Sequence, residues 1–288
     1  MNTILRLIEQ NRINYGTFIN ESVFNINWDG DCRYGVIIPV RGREGFLPVL
    51  LDSFRQTRYR DLCITVVEHS DTPTHRNTCA VPDVNYIHIP AKGAMFNKCL
   101  AMNMGVIASC LADYYIFHDL DCLVQQDFFK NLDVIVDSGA EAIQTFKDTR
   151  PLYCEAMLTE KLLHGDIGVN ELSIGMEGIF EPKRRGAPGG SILTSRGLFF
   201  KVGGYDPELF SAYSPEDEFF WHKLLTYTTV HSCQANEVFH MHHPSFEYTN
   251  PNLKFLIALM KRFRELPIEE KKKIIEYKSQ TLSQYAVC

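Results

Sequence analysis

The nine cysteines of this chain include no Cys-x-x-Cys pair, and their number is odd. Both features argue against structural zinc and against a disulfide framework. Several fall on apolar stripes, where a reduced thiol acts as a small hydrophobe, so a reducing cytoplasm is the expected setting. No run of about 20 apolar residues is present to span a membrane. The apolar cluster of Met1 to Gln10 lacks the long hydrophobic segment of a signal peptide. Basic charge is not in excess either, since 29 Lys and Arg face 35 Asp and Glu for a net charge of -6. A nucleic-acid binder would show a basic footprint. Internal repeats and low-complexity segments are also missing. What is present is a globular composition, 45% hydrophobic and 22% charged over 288 residues, enough for one large α/β domain or two small ones.

Residues 1–33 read as a short helix followed by an Asn-rich arm. Tyr34-Gly-Val-Ile-Ile-Pro39 is a compact apolar strand, and Phe46, Leu47, Leu50, Leu51 and Phe54 follow at helical spacing. Leu62–Val67 and Val84–Ile89 read as further strands, a helix is expected from about 94 to 112, and Tyr114-Tyr-Ile-Phe117 is a fourth strand. This alternation predicts a parallel doubly wound sheet, whose ligands bind beyond the carboxyl ends of the strands. Each of these ends carries a polar group. After residue 147 the alternation breaks into a short helical pattern and a Gly- and Arg-rich loop, and regular patterning resumes at Gly189-Gly190.

Four constellations carry chemistry. Asp119-Leu-Asp121 ends the fourth strand, and carboxylates there suit a hard divalent cation; a pair of loop acids capping the helix near Gln126 fits the same residues. His240-Met-His-His243 follows a strand ending at Phe239, and alternation points His240 and His242 to one side. Imidazole with Asp121 makes a mixed oxygen–nitrogen site that favours Mn²⁺, whereas a surface histidine cluster is the plain alternative. Pro215-Glu-Asp-Glu218 opens a helix. Acids there favour the helix dipole, and the same carboxylates suit a general base for an acceptor hydroxyl. Arg41 and Arg43 after the first strand, with Lys98 early in a helix, can face the crevice and hold a diphosphate or remain solvated charges. Gly189-Gly190 permits close backbone approach to a ligand or forms a turn.

In order, Pro39-Val-Arg-Gly-Arg43, Phe96-Asn-Lys98, Asp119-Leu-Asp121, Gly189-Gly190, Gly203-Gly-Tyr, Glu216-Asp-Glu and His240-Met-His resemble the β-1,4-galactosyltransferase family. The C-terminal half also resembles polypeptide N-acetylgalactosaminyltransferases and chondroitin-type polymerases. The resemblance covers residues 34 to about 245, with a poorly matched gap from 148 to 187. It implies a single compact α/β domain of the GT-A type, a Rossmann-like nucleotide-binding sheet joined to an acceptor-binding subdomain. It further implies a UDP-sugar donor of Gal or GalNAc type, Mn²⁺ with Mg²⁺ as alternate, and inversion at the anomeric carbon. Carried over by position, Pro39, Arg41 and Arg43 line the uridine diphosphate, and Glu68 lies near the base or ribose. Lys98 stands where the family carries a phosphate-binding arginine. Asp119 faces the nucleotide or orders its loop, with Gly189 and Gly190 beside the donor. Asp121, His240 and His242 are the metal ligands, with His243 as alternate. Asp217 is the base and Glu216 the neighbouring substrate-binding acid. The family's Trp- and Gly-rich segment is here Phe210-Ser-Ala-Tyr-Ser-Pro215, so Tyr213 stands in for an acceptor-stacking Trp and the sugar-pocket glycines are missing.

The expected organisation is therefore an N-terminal arm (1–33), a nucleotide-sugar-binding half (34–147), an acceptor and catalytic half (148–250) and a C-terminal helical segment (251–288). In that last segment Leu253, Leu256, Ile257, Met260 and Phe263 share one side, with Lys254, Lys261, Arg262 and Arg264 among the basic residues. A helix packed on the catalytic domain explains this pattern, and so does peripheral docking on an anionic membrane at its cytoplasmic face, near a glycan, polysaccharide or glycolipid acceptor. Three other readings stand beside glycosyl transfer. They are a sugar-nucleotide nucleotidyltransferase, which would want a glycine-rich phosphate loop where Val40-Arg-Gly-Arg-Glu-Gly45 stands, a metallohydrolase, and a non-catalytic sugar-nucleotide-binding module.

Overall fold

The computed structural model describes residues 3–28, 30–181, 188–244 and 250–285. The Arg-rich stretch 182–187, Met1 and Cys288 lie outside them. Helices α1 (Thr3–Gln10) and α2 (Tyr15–Glu21) lead into β1 (Val23–Asn25). The arm expected over 1–33 is thus partly built into the domain, because β1 pairs antiparallel with β4 (Val84–Pro90) at the sheet edge. Strands β2 (Cys32–Val40), β3 (Leu62–Ser70), β4 and β5 (Ala112–His118) run parallel. They are linked through α3 (Phe46–Gln56) and α4 (Lys98–Ala108).

Helix α4 is shorter than the periodicity predicts. A turn with Lys92 and Gly93 at positive φ precedes it, and Asn97 caps it by accepting from the Leu100 N–H at 2.9 Å. Ser109, in extended conformation, ends it. Gly105 lies against Ile37, where a Cβ would overlap the isoleucine side chain. This close approach draws α4 onto β2 and β3 and sets where its first residue, Lys98, emerges.

Beyond β5 come β6 (Cys122–Val124), α5 (Phe128–Val136), β7 (Ala142–Gln144), β8 (Leu152–Cys154), α6 (Ala156–His164), β9 (Ile179–Phe180), β10 (Ser191–Ser195) and α7 (Arg196–Lys201). Then follow α8 (Glu216–Leu224), β11 (His231–Ser232), β12 (Val238–His240), α9 (Leu253–Glu265) and α10 (Ile268–Ser283). The main sheet has the order β1-β4-β3-β2-β5-β10-β7-β11. It is not parallel throughout, since β10 runs antiparallel to both β5 and β7. A second sheet, β6-β12-β8-β9, flanks the end of β5.

Both faces of the main sheet are apolar, which is why its strands read as continuous hydrophobic runs. Ile37, Val67 and Phe117 face α4, α7, α8, α9 and α10, while Val36, Ile38, Val66 and Ile116 face α3, α5 and the second sheet. The eight described cysteines are buried and free. The apolar stripe of α9 is buried in the domain, with Phe263 packed 4.4 Å from Phe219 of α8 between ring centroids. No helix of the described residues is long and apolar enough to cross a membrane.

Two buried ion pairs fix the segment that leads into α8. Lys223 of α8 meets Asp206 at 2.5 Å, and Lys278 of α10 meets Glu208 at 2.6 Å. Asn103 of α4 holds Tyr205 by both backbone groups, donating to its carbonyl at 3.0 Å and accepting from its N–H at 2.8 Å. Breaking such pairs leaves a buried charge uncompensated, so α4, α8 and α10 are locked in register. The first turns of α4 and α8 consequently meet beyond the end of β5.

Candidate active site

Lys98 opens α4 at the positive end of the helix dipole, an unfavourable place for a cation. Its neighbours explain the choice. Its Nζ lies 2.7 Å from Asp119, 2.8 Å from Asp217 and 3.8 Å from Glu216. Asp119 comes from the turn after β5, and the other two acids from the first turn of α8. Burial opposes the ammonium charge, yet the three acids outweigh it and hold Lys98 well above its ordinary pKa. Burial raises Asp217 despite Lys98, with Asp119 adding to the rise. Glu216, buried and beside Asp217, is pushed up to about 8 and accepts from the Ser214 hydroxyl at 3.0 Å. The pair thus separates into a carboxylate bonded to lysine and a neighbour that keeps its proton at neutral pH.

Gly189 and Gly190 border this cluster. Gly189 has φ +149°, and a Cβ there would sit 2.8 Å from Asp217 Oδ2. Gly190 accepts at its carbonyl from the Asp119 N–H at 2.7 Å. The glycine pair therefore shapes the space around both acids.

Asp121, His240 and His243 form a second cluster, with one candidate ligand atom from each lying within 4.8 Å of the others. His243 Nε2 is 3.1 Å from Asp121 Oδ2, and His240 Nε2 is 3.6 Å from Oδ1. His242 is exposed and stands outside the cluster, its N–H donating to Thr159 Oγ1 at 2.8 Å. The physical reason is that β12 ends at His240. Buried Met241 bonds back to the Asp121 carbonyl at 2.8 Å, so strand alternation stops and the third residue, not the second, returns to the site. Burial opposes ionisation of Asp121, but His243, His240 and Arg43 together hold it far below the ordinary carboxylate range.

The donor set fits a divalent ion. It offers one buried carboxylate and two imidazoles, with carboxylate–imidazole separations of 3.1 and 3.6 Å, near the ~3 Å expected between neighbouring ligands at bond lengths of ~2.1 Å. His240 meets Asp121 through Nε2, and its Nδ1 is buried with no hydrogen-bond partner among the described residues.

The remaining expected residues divide. Arg43 bonds Asp121 Oδ2 at 2.6 Å and His243 Nδ1 at 3.1 Å. Arg41 donates to the Ala94 carbonyl at 2.7 Å and lies 3.8 Å from Asp71. Pro39 is buried within β2. Glu68 is fully buried, and its two oxygens accept from Ser70, Thr74, His75 and Tyr86. Those five bonds make it an organiser of the loop after β3, with no oxygen left over for a base or ribose. Tyr213 is 59% exposed before α8. Sequence reasoning missed Tyr153, whose ring lies 4.9 Å from that of His240 and stacks on Phe180 at 5.7 Å. Tyr205 figured there only as the end of the Gly203-Gly-Tyr motif, with no role of its own; the structure places it near enough to Asp217 to favour the ionised form.

No family model and no curated protein matches the chain. Solved structures do. The Staphylococcus aureus protein TarS, residues 1–349, in complex with UDP-GlcNAc, aligns with a TM-score of 0.55 and 13% identity over 88% of this chain and 71% of that one. The mannosyltransferase PcManGT of Pyrobaculum calidifontis, in complex with GDP-Man and Mn²⁺, gives 0.53 and 12% over 98% and 84%. The chain has the GT-A fold. The catalytic domain of Drosophila β1,4-galactosyltransferase 7, in complex with xylobiose, aligns at 0.46 with 16% identity over 74% and 71%.

Proposed function

We propose that this GT-A protein is an inverting, metal-dependent glycosyltransferase that moves a sugar from a nucleotide-sugar, by resemblance a UDP-sugar, onto an acceptor hydroxyl. The observation that carries the reading is the meeting of the Asp121/His240/His243 cluster with the buried Lys98/Asp119/Glu216/Asp217 cluster, joined through Asp119-Leu-Asp121. TarS in complex with UDP-GlcNAc and PcManGT in complex with GDP-Man support a nucleotide-sugar on this face.

Asp121, His240 and His243 would hold Mn²⁺, with Mg²⁺ as the alternate. When bound, the ion would supply Lewis-acid neutralisation of the diphosphate leaving group. Asp217 accepts the proton of the acceptor hydroxyl as that oxygen bonds to the anomeric carbon and the bond to the diphosphate breaks. Lys98 keeps Asp217 oriented and ionised. Glu216, carrying its proton, donates to the acceptor or donor sugar. Tyr213, with Tyr153 and Phe180 beyond His240, offers ring faces to a glycan. A Gal or GalNAc-type donor, a polysaccharide or glycolipid acceptor and a cytoplasmic setting complete the proposal, with the basic side of α9 turned to an anionic membrane. A donor half ending at residue 147 and an acceptor half beginning at residue 148 belong to the same proposal.

The test is calorimetric titration of UDP with Mn²⁺ and then with EDTA. Binding that requires Mn²⁺, is lost in Asp121→Ala and survives in His242→Ala supports the assignment. An absence of binding in both buffers removes UDP and turns attention to metallohydrolysis.

A further inference from the structure

We infer that Arg43 is a built-in cation at the metal site, which a divalent ion must displace, and that the displaced guanidinium then holds the donor's diphosphate. The displacement needs only the metal assignment; the second half rests on the glycosyltransferase reading.

Asp121 Oδ2 takes a guanidinium N–H at 2.6 Å and His243 Nε2 at 3.1 Å. An ion cannot take that oxygen on the same side without moving one of them. The histidine sharpens the exclusion. Arg43 can only donate, so its bond to His243 Nδ1 at 3.1 Å requires a bare Nδ1. The hydrogen of the neutral ring then sits on Nε2, the nitrogen that faces Asp121 and would bind the ion. The Pro244 carbonyl also lies 3.0 Å from Nδ1 and can only accept. With the hydrogen turned onto Nδ1 and donated to Pro244, Nε2 is bare and ready for a metal, and Arg43 has lost its acceptor. The same ring therefore has two partners that select opposite tautomers, one closed by arginine and one open to the ion.

The backbone holds Arg43 in this place. Gly42 and Arg43 are consecutive left-handed residues at φ +65° and +58°, a conformation that a non-glycine residue adopts only when its surroundings enforce it. The Gly42 carbonyl accepts from buried His75 Nε2 at 2.9 Å, and the His75 N–H donates to Glu68 at 3.0 Å. The buried Glu68 network thus clamps the loop, so that the side chain swings while the main chain stays. Arg41 leaves the same loop nearby, and a freed Arg43 would present a second planar fork suited to phosphate oxygens. The coupling is reciprocal: whatever draws Arg43 away from Asp121 helps the ion, and the ion releases Arg43 to the diphosphate.

Mn²⁺ alone, without nucleotide, is the deciding probe, titrated into wild type, Arg43→Ala and Arg43→Lys and followed by calorimetry and by the electron spin resonance of the free ion. Arg43→Ala should bind Mn²⁺ roughly tenfold more tightly. Arg43→Lys, which keeps the charge but cannot span Asp121 and His243 together, should fall between it and wild type. At saturating Mn²⁺ both variants should bind UDP more weakly. Unchanged or weaker Mn²⁺ binding in Arg43→Ala overturns the displacement. Wild-type affinity in Arg43→Lys beside tight binding in Arg43→Ala also overturns it, because net charge alone would then be responsible. Wild-type binding of Mn²⁺ that is insensitive to Asp121→Ala defeats the metal assignment and this inference together. The expected Mn²⁺ pattern with no UDP binding leaves the displacement standing and removes only the donor reading.

Discussion

Replacing Lys98 with Met keeps most of the side-chain volume and removes the one charge that Asp119, Asp217 and Glu216 share. The lysine is 16% exposed, and its two closest acids lie at 2.7 and 2.8 Å. Breaking a buried ion pair costs about 3–5 kcal/mol. Residual exposure and the capacity of the acids to take up protons place this case near the lower end, about 3 kcal/mol at pH 8. For 288 residues the unfolding entropy near the midpoint is about 0.6 kcal/mol/K, so Tm should fall by about 5 °C. The pH dependence identifies the cause. Without Lys98 the folded-state pKa values of Asp217 and Glu216 rise further above their unfolded values. Stability linked to a raised pKa is present below the unfolded pKa, near 4, and is lost as pH rises through the folded value. The Tm deficit of Lys98→Met should therefore be largest at pH 8 and shrink to less than about 2 °C at pH 4.5. Differential scanning calorimetry of both proteins in metal-free buffer at the two pH values reads this directly. An equal deficit at both values would show that lost packing, not charge, is responsible. No deficit at pH 8 would show that the acids do not depend on the lysine.

Asp217→Asn should lower the transfer rate by about 10³-fold, within the range for a lost general base, while calorimetry shows UDP and Mn²⁺ affinities within about twofold of wild type. Glu216 titrates near 8, so the rate should fall as pH rises through that value and the carboxyl loses its proton. Glu216→Gln should keep the rate at pH 7 within about threefold and abolish that alkaline limb. Gly189→Ala places a methyl 2.8 Å from Asp217 Oδ2 at φ +149°; steady-state assays should show kcat reduced by more than about tenfold, with about 2 kcal/mol lost in a denaturant melt.

The central strands were legible because both of their faces are covered. Leu62–Val67 and Val84–Ile89 read as strands rich in β-branched and apolar residues, interrupted only by Thr65, Asn85 and His88, and the acids after Phe117 fell where a doubly wound sheet places its ligands. Antiparallel β10 was not legible, because Ser191–Ser195 carries the same apolar pattern in either direction and its sense comes from its pairing with β5 and β7. The choice of His243 over His242 escaped for a related reason: alternation is a property of strands, and β12 stops at His240. Glu68 was placed near the base or ribose by the family resemblance; its five donors come from residues 70, 74, 75 and 86, a convergence that spacing does not reveal. The pairing of Lys98 with three acids was equally hidden, since it depends on Lys223 and Lys278 locking α8 and α10 against α4.

On the proposed glycosyltransferase reading, these pairings bear on how a chain of net charge -6 would take an anionic donor. Among the described residues, Arg43, Lys98 and Arg41 each already have an acidic partner: Arg43 with Asp121, Lys98 with Asp119 and Asp217, Arg41 with Asp71. Such a site is not a positive hole waiting for phosphate. Donor binding must be an exchange of partners, in which the diphosphate takes over guanidinium groups whose carboxylates find another cation. A divalent ion is the natural replacement at Asp121, which links the need for metal to the arginine rather than to the phosphates alone. At Asp217 the replacement is the proton delivered by the acceptor, which becomes available only as the reaction proceeds. On this view the two clusters differ in timing: the Asp121 pair opens when the donor complex forms, and the Lys98 pair stays closed until the acceptor hydroxyl gives up its hydrogen.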